Sequence, residues 1–94
     1  MKFFVYLLIS KSKKKIISYV GYTKNLKKRI DLHNSGKGAK FTRGRLWVLA
    51  YKKSYKSKSL ALKNENLLKN DYKKRSEIKK NFLLKNEDIN FITL

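Results

Sequence analysis

The sequence predicts a small α+β domain, a three-stranded sheet covered by helices. Three observations carry that prediction. Hydrophobic runs succeed one another in the order strand, strand, helix, strand, helix, helix. The first two runs are separated by a connection short enough for a hairpin. No proline, internal repeat or linker interrupts the chain, and its 94 residues have the size of one domain, taken as 1–94.

Residues 3–9 (FFVYLLI) are aromatic and β-branched and stop at a Ser/Lys cluster, the pattern of a well-buried strand. Residues 16–22 (IISYVGY) repeat it, so antiparallel pairing across the intervening SKSKKK is expected. Thr23 or Asn25 can cap a helix in which Leu26, Ile30 and His33 recur at helical spacing before the stop signal Asn34-Ser35-Gly36. Residues 37–45 (KGAKFTRGR) hold two glycines and four cations without periodicity and are expected to form a basic surface loop. A third strand is expected over 46–51 (LWVLAY). Ser57 or Ser59 opens a second helix, and 72–84 is helical by the shared face of Arg75, Ile78 and Phe82. The terminal DINFITL is apolar enough to dock but too short to classify.

Composition excludes several chemistries. Cysteine is absent and histidine occurs once, which removes disulfide, thiolate and zinc-finger chemistry and any site built on several histidines. No apolar run reaches the ~20 residues of a membrane span. The opening apolar segment is not followed by a small-residue cleavage site, so the cytoplasm is the expected location. Against 6 acids stand 25 Lys and Arg, for a net charge of +19. Lysine excess alone can reflect an AT-rich genome, but through residue 70 the acids are Asp31 and Glu65 alone, leaving most faces open to a phosphate backbone. A membrane surface is the rival polyanion. It is disfavoured because neither later helix joins a broad apolar face to a purely basic one.

Candidate chemistry gathers on few residues. Arg29 and His33 lie four apart on one helix face, with Asp31 pointing away. Glu65 falls on the stripe of Ala61 and Leu68, so its carboxylate must meet a cation. That cation is either a neighbouring Lys or Arg, or a hard divalent ion such as Mg²⁺, which is typically held by one or two carboxylates with water and phosphate. Tyr6 and Tyr19 can be opposite or diagonal partners on the hairpin, and Gly21, on the face of Tyr19, permits close approach of backbone or phosphate.

The segments VYLL, YVGYT, NLKKRIDLHNSGKGAKFTRGR, LWVLAY and LALKNENLLK, in this order and spacing, resemble the GIY-YIG nuclease family, in particular its small single-domain bacterial members. The name-giving triplets stand here as Phe4-Val5-Tyr6 and Tyr19-Val20-Gly21, with the first Gly-Ile pair replaced. The resemblance implies a three-stranded antiparallel sheet flanked by helices, and a divalent-metal-dependent endonuclease, using Mg²⁺ or Mn²⁺, that hydrolyses phosphodiesters in DNA in preference to RNA. It implies Tyr6 as general base, Tyr19 as its hydrogen-bonding or water-positioning companion, Arg29 as phosphate clamp and Glu65 as metal ligand. His33 takes an auxiliary role in proton transfer or substrate positioning. Tyrosine titrates at ~10, so Tyr6 needs help to act as a base, and the positive surroundings are expected to favour its phenolate. Gly21, Lys37, Lys40, Phe41, Arg43 and Arg45 are expected to contact nucleic acid, Phe41 through an unstacked base. Small stand-alone members of this family have no appended recognition domain, so cleavage is expected to follow substrate shape or a targeting protein partner, in repair or recombination. A catalytically idle binding module of the same fold is the alternative.

Overall fold

The structure is a computed structural model and describes residues 2–12 and 15–85. Its elements are β1 (Phe3–Ser12), β2 (Lys15–Thr23), α1 (Leu26–Asn34), β3 (Val48–Tyr55), α2 (Lys58–Lys69) and α3 (Tyr72–Lys85). The strands form the expected three-stranded antiparallel sheet, and their order within it is β2-β1-β3. Central position explains why β1 reads as unbroken apolar sequence. Val5, Leu7 and Ile9 pack with Val20, Ala61, Leu68 and Ile78 on the face covered by α2 and α3. Tyr6 and Leu8 point to the opposite face, where Trp47, Leu26 and Ile30 cover them. Both sides of β1 are therefore interior, and alternation disappears from its sequence.

Helix boundaries follow side-chain caps. Asn25 rather than Thr23 caps α1, accepting the Lys28 amide at 3.1 Å, while Thr23 Oγ1 accepts the Asn25 amide at 3.1 Å. Ser57 rather than Ser59 caps α2, accepting the Leu60 amide at 3.2 Å. Asp71 Oδ1 accepts the Lys74 amide at 3.0 Å at the start of α3. Such caps satisfy amides that the first helical turn leaves unpaired. The run DINFITL lies outside the described residues.

The third strand departs from the expected 46–51. Trp47 cannot join the ladder because the Asn34 side chain occupies both of its backbone groups. Its amide donates to Asn34 Oδ1 at 2.6 Å and its carbonyl accepts from Asn34 Nδ2 at 3.1 Å. Past residue 51 the strand continues through Lys52, Lys53 and Ser54, which are exposed on an edge and carry no hydrophobic signal. A bulge interrupts β3. Leu7 pairs with Tyr51 and Leu8 with Leu49, so Ala50 is the extra residue. In an unbroken strand Leu49 and Tyr51 would share a face. The bulge sends Leu49 to the α1 side and Tyr51 to the side of α2 and α3.

Candidate active site

The hairpin register sets Tyr6 opposite Gly21 and Leu8 opposite Tyr19, which makes the two tyrosines diagonal neighbours. Gly21 is the floor of the site. A Cβ there would collide with Oη and Cζ of Tyr6, so this position must lack a side chain for the phenol to lie across the strand. One end of α1 then delivers His33, fully buried, with Nε2 at 2.9 Å from Tyr6 Oη. The other ring nitrogen, Nδ1, lies 2.9 Å from Thr42 Oγ1. Thr42 has one hydroxyl proton and gives it to the Ala39 carbonyl at 2.9 Å, while accepting the Ala39 amide at 3.2 Å. This network assigns the imidazole proton to Nδ1, donating to Thr42, and leaves Nε2 bare to accept the Tyr6 hydroxyl proton.

Arg29, one turn before His33, donates Nε–H to Tyr6 Oη at 3.4 Å, while Asp31 is exposed. Tyr19 sets its ring edge-on to His33 with centroids 5.0 Å apart. The structure thus brings Tyr6, Tyr19, Arg29 and His33 into one cluster. Glu65 stands beside it, near enough that its charge opposes ionisation of Tyr6. The Glu65 side chain is half-buried and pairs with Lys69 at 3.4 Å, one turn on. An i, i+4 pair this exposed at its lysine end contributes only about 0.3–0.5 kcal/mol, so a competing cation can displace it. Among the described residues no three His, Cys, Asp or Glu converge on a common point. A half-buried carboxylate such as that of Glu65 suits Mg²⁺, which keeps most of its water and binds through few protein groups.

The expectation that positive surroundings favour the Tyr6 phenolate is overturned. Burial, the largest influence, pushes the Tyr6 pKa above its ordinary value and outweighs the lowering by Arg29. Burial, assisted by Arg29, pulls the His33 pKa down and keeps the imidazole neutral. A protonated phenol hydrogen-bonded to a neutral imidazole is therefore the resting state.

The loop between α1 and β3 is an ordered part of this site. Its ends are joined by the Asn34–Trp47 clamp, and Trp47 Nε1 donates to the Thr42 carbonyl at 3.0 Å. Gly38 lies against His33 so closely that a Cβ would collide with the imidazole. Phe41 is 54% exposed and stacks on Tyr19, with centroids 6.1 Å apart and planes 20° from parallel. The Arg45 guanidinium sits 6.0 Å from the Phe41 ring centre. Lys40 and Arg43 are exposed, and Lys37 lies instead beside Lys27 and Lys28 along α1. Sequence reasoning missed Thr42, Asn34 and Trp47 as parts of the site. Only Gly38 carried a signal, since glycine in a loop can mark close approach.

Comparison with known proteins sets this arrangement in a class of nucleases. The GIY-YIG catalytic domain matches residues 2–81, and the chain belongs to that family. Among curated proteins it is similar to a UPF0213 protein of Streptococcus pneumoniae serotype 4, 47% identical over 76 residues that cover 80% of this chain and 74% of the relative. A UPF0213 protein of Bacillus cereus is 47% identical over 60 residues, covering 63% of this chain and 62% of the relative. The UPF0213 protein SpyM50708 of Streptococcus pyogenes serotype M5 is 54% identical over 52 residues, 54% of this chain and 56% of the relative. No significant match to a solved structure was found. Among the described residues no helix is long and apolar enough to cross a membrane.

Proposed function

We propose that the protein is a divalent-metal-dependent endonuclease that hydrolyses DNA phosphodiesters, with structure-directed or weakly sequence-specific cleavage serving repair or recombination in the cytoplasm. The observation that carries this reading is the hydrogen bond from Tyr6 to the bare Nε2 of His33, at 2.9 Å, beneath Arg29. Attacking water gives a proton to Tyr6 Oη as the phenol proton passes to His33 Nε2. The imidazolium so formed keeps its Nδ1–H on Thr42. The new P–O bond forms as the bond to the 3′-oxygen breaks, and that oxygen is protonated from solvent. Arg29 stabilises the extra charge on the phosphorus centre, and its move from Oη to a phosphate oxygen opens the buried phenol to water. Glu65 would hold Mg²⁺ or Mn²⁺, which when bound neutralises charge on the phosphate and the departing oxygen.

A second reading, a catalytically idle nucleic-acid-binding module, is favoured by the complete burial of Tyr6 and by the pairing of Glu65 with Lys69. Supercoiled plasmid separates the two. The parent protein is expected to nick it with Mg²⁺ and not with EDTA, and Glu65→Ala is expected to bind without nicking. A parent that binds plasmid yet never nicks it leaves the idle module standing.

A further inference from the structure

The loop's aromatic residue and the turn between α2 and α3 meet across the free edge of β2. There an open groove of about 350 Å³ is lined by Ser18, Tyr19, Val20, Phe41, Lys69 and Arg75. On one wall, Phe41 is held in place by Tyr19 at 6.1 Å, Trp47 at 6.2 Å and Arg45 at 6.0 Å, while half of its own surface faces solvent. An exposed phenyl ring with so many neighbours is fixed before any ligand arrives. On the other wall, Arg75 is equally fixed, donating to the Leu68 carbonyl at 3.0 Å and to the Lys69 carbonyl. No carboxylate lines the groove itself, but Lys69, one of its two cations, pairs with Glu65 at 3.4 Å, a surface contact weak enough for a phosphate to compete with. Ser18 and Val20 line it from an edge of β2 that pairs with no further strand among the described residues, although Lys79 Nζ donates to the Ile16 carbonyl elsewhere on that strand. The groove adjoins the catalytic cluster through Tyr19, whose ring touches both Phe41 and His33.

We propose that this groove binds an unpaired nucleotide, its base stacked on Phe41 and its phosphate held by Lys69 and Arg75, and that the preferred substrate is therefore single-stranded or locally unpaired DNA. An aromatic face beside fixed cations is how sequence-tolerant single-strand sites are built, each stacked base being recognised by its π surface and each phosphate by charge. A base inside a duplex is already stacked above and below and cannot reach Phe41 without being extruded, which costs free energy. The inference rests on the reading of the protein as a DNA-cleaving enzyme only in taking DNA as the polyanion, and it concerns binding rather than chemistry.

Fluorescence anisotropy in EDTA tests it with three labelled probes of equal length: a single strand, the matching duplex, and an abasic strand that keeps the phosphates and lacks the bases. Phe41→Ala is expected to weaken binding of the single strand by roughly 10-fold or more. The same change should alter duplex and abasic binding by less than about 2-fold, and Phe41→Tyr should bind all three as the parent does. Equal loss on all three probes, or no loss on any, overturns the base site. A parent that binds no probe overturns both this inference and the nuclease reading. A parent that shows the expected pattern but fails to nick plasmid with Mg²⁺ leaves the base site standing and removes the enzyme. Thermal melting of Phe41→Ala beside the parent excludes unfolding as the cause.

Discussion

At the scale of single residues the site is a hydrogen-bond chain from Tyr6 through His33 to Thr42, and the proposed proton path follows its direction. Removing the Thr42 hydroxyl while keeping the side chain's shape would leave the buried Nδ1–H without an acceptor. Thr42→Val should cost about 1–3 kcal/mol of stability for that unpaired donor. It should also slow cleavage by about 10-fold or more, because Nε2 is then free to carry the proton and can no longer take one from Tyr6. Thr42→Ser should recover most of the rate, which a packing role for the γ-methyl would not allow. The pH dependence has a definite sign. His33 has a lowered pKa in the folded protein, so the unfolded chain takes up the proton first as pH falls. Stability is complete above the ordinary histidine value of ~6.5 and declines as pH drops below it. Cleavage should fail on the same acid side, as charged His33 accepts nothing. Thr42 was invisible in the sequence because its partner lies nine positions earlier, across a loop with no periodicity. Hairpin and helix spacing, which are local, singled out Tyr6, Arg29 and His33 as candidates, while their roles came from the family resemblance.

At the scale of elements the order of strands and helices was readable, and the exceptions have physical reasons. The start of β3 was obscured by the Asn34 side chain, which takes both backbone groups of Trp47 out of the sheet. Its end was obscured because exposed edge residues such as Lys52 and Lys53 carry no hydrophobic alternation. The loop read as irregular surface is pinned at both ends and supports His33 as well as Phe41. Its exposed cations should be felt by DNA as countable charges. On a log–log plot of affinity against salt, each phosphate contact with duplex contributes a slope of about −0.9. Neutralising Lys40 and Arg43 together should flatten the slope by roughly two contacts and lower affinity evenly across sequences. An unchanged slope would place the duplex surface elsewhere, with Lys27 and Lys28 of α1 and the neighbouring loop residue Lys37 the next face to test.

At the scale of the whole molecule, a three-layer arrangement puts one strand, β1, at the centre of both packing and chemistry. Alternate side chains of that strand build the core under α2 and α3, while Tyr6 turns to the opposite face and meets α1. A positive surface with few carboxylates favours a polyanion, whereas burial inside the fold favours the protonated form of Tyr6. The sequence could reveal the charge but not this opposition. Net charge is a sum over residues, whereas desolvation of one phenol depends on which side chains the fold packs around it.

The central claim is that the Tyr6 hydroxyl moves a proton during cleavage, and Tyr6→Phe tests it most directly. The substitution keeps the ring over Gly21 and removes the group bonded to His33 and Arg29. Melting and single-turnover cleavage with Mg²⁺ are measured side by side on the same preparation. The expected result is a loss of about 1 kcal/mol in stability for the missing hydrogen bond, with cleavage slower by about 10² to 10⁴-fold. A variant that melts like the parent and cuts like the parent would contradict the account and leave Tyr19 as the next candidate base.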